Sequence, residues 1–220
     1  LLVLLVVLAG LLAFLFRDSF DANLALFAND GPLGLVASRV NAMPEGWWKM
    51  WSDLNWLGFD GGSRPPTWTS LSFWILGAHG FINFAPALSS LLLGLSVALF
   101  CRAAGFRPVV GVLAGIAGAL NTDFFSYGCW GLPTLTMCVA SVFFALAALM
   151  WKPLPLWLRA TLGGAALGHA LAEGFDNGAI FSLYLAAFAM AQGWIATAPN
   201  WSLALPRPRT PRSNALVAAP

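Results

Sequence analysis

Apolar runs close to the thickness of a membrane recur along this chain, and they limit its fold more tightly than any single motif. Of 220 residues, 59% are hydrophobic and only 9% charged, with 11 Trp and 17 Phe. An average soluble domain carries roughly 25% charged residues. That much apolar surface cannot be enclosed in a core wetted on all sides, so the chain reads as an integral membrane protein. A helix needs roughly 20 apolar residues to cross the hydrocarbon. The runs that approach this length are 1–16, 80–101, 107–121, 132–151, 155–172 and 177–195. The expected fold is an all-α polytopic bundle of about six transmembrane helices, with a long first loop over 17–79.

The opening run, LLVLLVVLAGLLAFLF, follows no basic segment and ends in Phe16-Arg17-Asp18. A secretory signal has a charged start and a small-residue cleavage site. The run is therefore expected to be a first span whose start is missing. Residues 196–220 read as a Pro/Arg-rich cytoplasmic connector, with 214–220 opening a further span. The domain reading is thus 1–195 as one membrane domain and 196–220 as its connector.

Charge is segregated. Arg102, Arg107, Lys152, Arg159, Arg207, Arg209 and Arg212 fall in alternate connectors, and the positive-inside rule makes that side cytoplasmic. All nine acidic residues, from Asp18 to Asp176, fall on the other side. Acidic residues contribute little to topology, so their segregation points to chemistry on the outer face. The three cysteines, Cys101, Cys129 and Cys138, share no metal-ligand spacing and read as small buried hydrophobes. No nucleotide-binding loop, GxSxG or HExxH occurs.

The outer loop has structure of its own. Gly31-Pro32 followed by Leu33, Val36, Ala37 and Val40 predicts a short helix, since Pro is favoured in a first turn. Asp30 or Gly31 would cap it. In WWKMWSDLNWLG, 47–58, an apolar helical face opposes Lys49, Ser52, Asp53 and Asn55, which predicts a helix lying in the membrane interface. The 59–66 segment, rich in Gly and Pro, reads as a connector or a lid.

Two outer turns carry further polar residues. The run 107–121 is short, so the turn 121–131 is expected either to begin below the outer surface, with Asp123 in a wet cavity, or to meet the headgroups. In HALAEGFDNG, His169 and Glu173 are four apart and share a helix face, with Asp176 in the turn after them. They would bind a divalent cation, or form a polar cluster capping the last span through Asp176 or Asn177. His79 reads as interfacial. Glycines 111, 115 and 118, and 164 and 168, have the spacing of close helix packing.

Asn29-Asp30-Gly31 soon after the first span, Gly46-Trp47, Trp56-Leu57-Gly58, Pro65-Pro66 and the run of short-looped spans together resemble the bacterial YfhO-type membrane proteins, a branch of the GT-C glycosyltransferase superfamily. Pro32-Leu33 stand where those proteins often carry glutamine and an aromatic residue. The resemblance covers nearly the whole chain. It implies transfer of a sugar from a polyprenyl-phosphate carrier to an acceptor at the extracytoplasmic face of the bacterial inner membrane. In such enzymes an Asp in the first outer loop acts as general base on the acceptor hydroxyl, or holds a metal such as Mg or Mn. That residue is Asp30 here. Arg64, Arg39 and Lys49 would hold the lipid phosphate, Arg64 foremost because a guanidinium grips phosphate bidentately. Asp123, Glu173 and Asp176 would line the same cavity, with Asp30, His169, Glu173 and Asp176 as possible metal ligands.

Two other classes compete. A multi-pass transporter would place ionisable residues near the midplane, often in inverted repeats, and neither is visible in the sequence. A non-catalytic scaffold would bind lipid-linked sugar without turnover.

Overall fold

A computed structural model describes residues 1–26, 28–48 and 65–197. Every regular element among them is helical: α1 (Leu2–Leu15), α2 (Leu33–Asn41), α3 (Trp68–Ala103), α4 (Pro108–Ala119), α5 (Thr122–Cys129), α6 (Pro133–Met150) and α7 (Leu156–Thr197), with short 3₁₀ turns at Arg17–Phe20 and Glu45–Trp47. The predicted interfacial helix after Trp48, and Lys49 and Arg64 with it, lie outside the described residues, as does the connector beyond 197.

Three helices, α3, α6 and α7, are long and apolar enough to cross a membrane, and α4 with α5, bent by 43°, would make a fourth if the pair forms one broken span. α1, at 14 residues, is shorter. The expected boundaries shift in three places. Helix α3 begins at Trp68 rather than near 80, but its backbone leaves helical geometry at Gly77 (φ 64°), so the expected start lies just after that break and Trp68–Leu76 forms a short arm ahead of it. The expected turn 121–131 is mostly helix α5, capped by the Asn121 side chain. The last two expected spans are joined in α7, whose backbone leaves helical geometry only at Gly174 and Phe175.

That break bends α7 sharply. In a straight helix, residues eight apart stand about 12 Å apart along the axis. Here Gly178 lies so close to the preceding arm that a Cβ on it would stand 2.6 Å from the Ala170 carbonyl oxygen. Phe181 consequently packs against Cys138, Val142 and Ala170.

α1 buries one stripe, Leu4, Leu8 and Leu12, which are successive turns of one face. Leu4 and Leu8 reach the crossing of α3 and α4, where Gly94 and Gly115 bring the two backbones together: a Cβ on either would meet the other's carbonyl oxygen at 2.7 Å. The expected packing role of the α4 glycines therefore holds, with Gly111 on Ala98 and Gly118 on Val97. For Gly164 and Gly168 it does not, because both face open space. On α7 the close packing falls to Gly163, against Leu149, and Gly174, against Cys138.

Buried hydroxyls return their protons to backbone carbonyls. Ser89 donates to Pro86, Ser96 to Leu93, Ser141 to Met137 and Thr136 to Phe124. This satisfies polar groups where water is absent. The Arg159 guanidinium caps the end of α6 by donating to the Leu149 carbonyl.

Three of the points that fasten the outer loop to the bundle bear on the site. α2 buries Val36 against Phe73, Phe81 and Ala85. The buried Asn83 side chain accepts from the Leu26 N–H at 2.9 Å and donates to the Leu24 carbonyl at 2.9 Å. The third point is the turn that carries Asp30, described below. Replacing Asn83 by Leu leaves both loop groups without partners, at about 1–3 kcal/mol each. Limited proteolysis of Asn83→Leu in detergent is therefore expected to cut within 17–31 faster than in the parent protein. Unchanged cleavage would mean that the loop is held elsewhere.

Candidate functional site

The break in α7 meets the beginning of α3, and the contact is polar. Thr67 is the N-cap of α3, its side chain accepting from the Ser70 N–H. A helix start leaves its early N–H groups in need of acceptors; Thr67 takes one, and α7 supplies acceptors for two more. The Glu173 carboxylate, 7% exposed, accepts from the Thr69 N–H at 2.8 Å and from the Thr69 hydroxyl at 2.7 Å. One turn earlier on the same face, His169 Nε2 accepts from the Trp68 N–H at 3.1 Å.

That last bond fixes the imidazole. A backbone N–H can only donate, so Nε2 carries no proton and the ring is neutral. Its proton then sits on Nδ1 and goes to the Ser141 hydroxyl oxygen, 2.9 Å away, which donates onward to Met137. The 3.8 Å approach of His169 to Glu173 is therefore not an ion pair. The edge of the Trp68 ring closes over the imidazole at 5.5 Å between centroids.

Beside this network opens a cleft of about 390 Å³. Arg39 of α2 lines one wall, Thr67, Thr69 and Ser70 another, and Glu173 to Asn177, at the break in α7, a third. Leu132, Leu135 and Phe73 add apolar surface, and Thr134 a further hydroxyl. Asp176 is exposed and makes no hydrogen bond or ion pair among the described residues. A smaller, largely apolar slot of about 240 Å³, lined by Trp47, Pro66, Trp68, Leu71 and His169, lies on the other side of the Thr67–Trp68 backbone.

Asp30 stands near this region but not in the cleft wall. Its backbone N–H donates to the Trp130 carbonyl at 3.0 Å, and its exposed carboxylate accepts from the Asn29 side chain at 3.1 Å. The capping role expected for Asp30 or Gly31 is not observed: α2 begins at Leu33, Pro32 is its N-cap residue, and no side chain caps it. The turn is held by backbone contact instead. Gly31 and Gly131 touch so closely that a Cβ on Gly131 would stand 2.6 Å from the Gly31 nitrogen.

No protein-family model, no curated protein and no solved structure matches this chain.

Three of the residues singled out in the sequence, Arg39, Glu173 and Asp176, thus share one cleft, with His169 in the wall behind it. Asp123 does not join them. It is exposed in the first turn of α5, its backbone N–H bonded to Asn121. The four ligand candidates for a divalent cation do not gather either. Among the described residues no three of His, Cys, Asp and Glu converge, and both His169 nitrogens and both Glu173 oxygens are engaged by protein groups.

The sequence reading missed Trp68, Thr69 and Ser141. The signal for Thr69 was present: Thr67-Trp-Thr-Ser directly after Pro65-Pro66 is a helix start. Nothing local marked it as the partner of a carboxylate 104 residues away.

Proposed function

We propose that this chain is a membrane glycosyltransferase-like protein of the GT-C kind, moving a sugar from a polyprenyl-phosphate carrier to an acceptor at the outer face of a bacterial membrane. The observation that carries the reading is the cleft: a guanidinium and a carboxylate unpaired among the described residues, on walls that mix apolar side chains with hydroxyls, between the first loop and a broken membrane helix. Such walls suit a lipid-borne phosphate. Arg39 is the phosphate ligand in this reading, and Asp30, on the adjoining turn, takes the proton of the acceptor hydroxyl. Positioned general bases contribute about 10²–10⁴-fold.

The proposal includes six crossings. α7 has 42 residues, about 63 Å of helix, twice the hydrocarbon thickness. Its break near the middle leaves two arms of about one crossing each, with the cleft at the membrane surface.

The test is transfer of labelled sugar from polyprenyl-phosphate donors by the full-length protein in membranes. Asp30→Asn is expected to lower transfer by about 100-fold or more while insertion is unchanged. Transfer that survives the amide would move the base to Asp176. Binding of donor with no transfer would favour the scaffold reading, which the fully engaged Glu173 and His169 also suit. Solute uptake into vesicles, with neither binding nor transfer, would favour a transporter.

A further inference from the structure

The charges of the cleft define its ligand more narrowly than a phosphate does. Among the described residues its walls carry one guanidinium, Arg39, and two carboxylates, Glu173 and Asp176. Glu173 is already matched, since both oxygens accept from Thr69. Arg39, half-buried, and Asp176, exposed, form no hydrogen bond or ion pair, with each other or with any other described residue. Two unlike charges therefore line one cleft of about 390 Å³ without neutralising each other. A plain phosphate would satisfy Arg39 and face the Asp176 carboxylate. A plain cation would satisfy Asp176 and leave the guanidinium half-buried without a partner.

We infer that the cleft binds a zwitterionic group, with a phosphate on Arg39 and a primary ammonium on Asp176. A guanidinium offers phosphate two parallel N–H donors, and a carboxylate offers acceptors to the three donors of an ammonium. The hydroxyl-bearing start of α3, from Thr67 to Ser70, lies along the same cleft and supplies neutral polar contacts. The inference deepens the proposed function: it rests on the cleft taking a phosphate-bearing ligand and adds that the ligand carries an amine. Two sources share that chemistry, the phosphoethanolamine headgroup of a membrane lipid and an amino sugar joined to phosphate.

The experiment compares two matched pairs of probes on the full-length protein in detergent, with dissociation constants read by calorimetry. One pair is dihexanoyl phosphatidylethanolamine against dihexanoyl phosphatidylglycerol. The other is glucosamine 1-phosphate against glucose 1-phosphate. In each pair only one member carries an amine. The protein is expected to bind the amine-bearing member of one pair about tenfold more tightly, the scale of one charge-assisted hydrogen bond, and that pair identifies the source. Asp176→Asn is expected to abolish the preference by weakening the amine-bearing probe alone. Arg39→Gln is expected to weaken both members by about tenfold. Asp176 is exposed and has no partner among the described residues, so its variant is expected to keep the fold, and an unchanged unfolding midpoint verifies this. Equal binding within both pairs, a preference that persists in Asp176→Asn, or binding indifferent to Arg39→Gln overturns the inference. Phosphate binding without an amine preference would overturn it while leaving the phosphate reading intact. Absence of binding by all four probes would overturn both.

Discussion

Gly131→Ala is expected to destabilise the protein by about 3 kcal/mol, and the matched change Gly105→Ala by about 1 kcal/mol. Both glycines have left-handed backbones, with φ of 92° and 84°. An L-residue in that region costs about 1–2 kcal/mol. The difference lies in the surroundings. A methyl at Gly105 meets nothing within 4 Å, whereas at Gly131 it would stand 2.6 Å from the Gly31 nitrogen and 2.8 Å from the Ala28 methyl. Neither neighbour is the end of a flexible chain, so the turn carrying Asp30 must move away, at the roughly 1–3 kcal/mol of an overpacked core. Thermal unfolding in detergent, followed by helical circular dichroism, reads the two costs. The Gly131 variant should melt roughly 10 °C lower than the parent. Equal shifts in the two variants would mean that the contact between Gly31 and Gly131 contributes nothing.

The second large effect is expected at Glu173→Leu. Leucine fills much of the same space but leaves the Thr69 N–H without its acceptor and the Thr69 hydroxyl with the weakly accepting Met137 sulfur at 3.5 Å. A buried donor left unmatched costs about 1–3 kcal/mol, and this variant orphans one and weakens another. Breaking one side of a buried polar pair is the damaging change, whereas replacing both sides is mild. Adding Thr69→Val to Glu173→Leu should therefore restore about 1 kcal/mol, since the weakened hydroxyl donor disappears. A double-mutant cycle on unfolding free energy measures this coupling. Strict additivity would show that the two side chains do not stabilise each other.

The sequence made parts of this architecture plain and concealed others for physical reasons. α2 was legible because Pro32 opens it and Val36 and Val40 recur on one face. The α7 break was legible as the Gly174-to-Gly178 stretch between two apolar runs, and the spacing of His169 and Glu173 correctly put them on one face. What that spacing could not show was the use of the pair. It suggests metal ligands, but the partners that engage them lie 101 and 104 residues away in the chain. The start of α3 was hidden because Thr67, Ser70, Ser72 and His79 dilute its hydropathy, although Thr67, Ser70 and Ser72 are buried and bonded. Glycine spacing identified a packing face on α4 and misidentified one on α7, because a period fixes which residues share a face but not what that face meets. The position of Asp30 was legible only as a turn. Its docking on Trp130 is a backbone contact, and backbone contacts leave little trace in side-chain pattern.

The bonds from Thr69 to Glu173 also set an order of assembly. Thr69 leaves the ribosome 104 residues ahead of its acceptor, and Gly31 leaves long before Gly131. Neither the start of α3 nor the turn bearing Asp30 has these partners until the later helices have been made. The cleft is thus completed only when synthesis reaches α7, so a nascent chain that holds only the earlier helices carries no finished site.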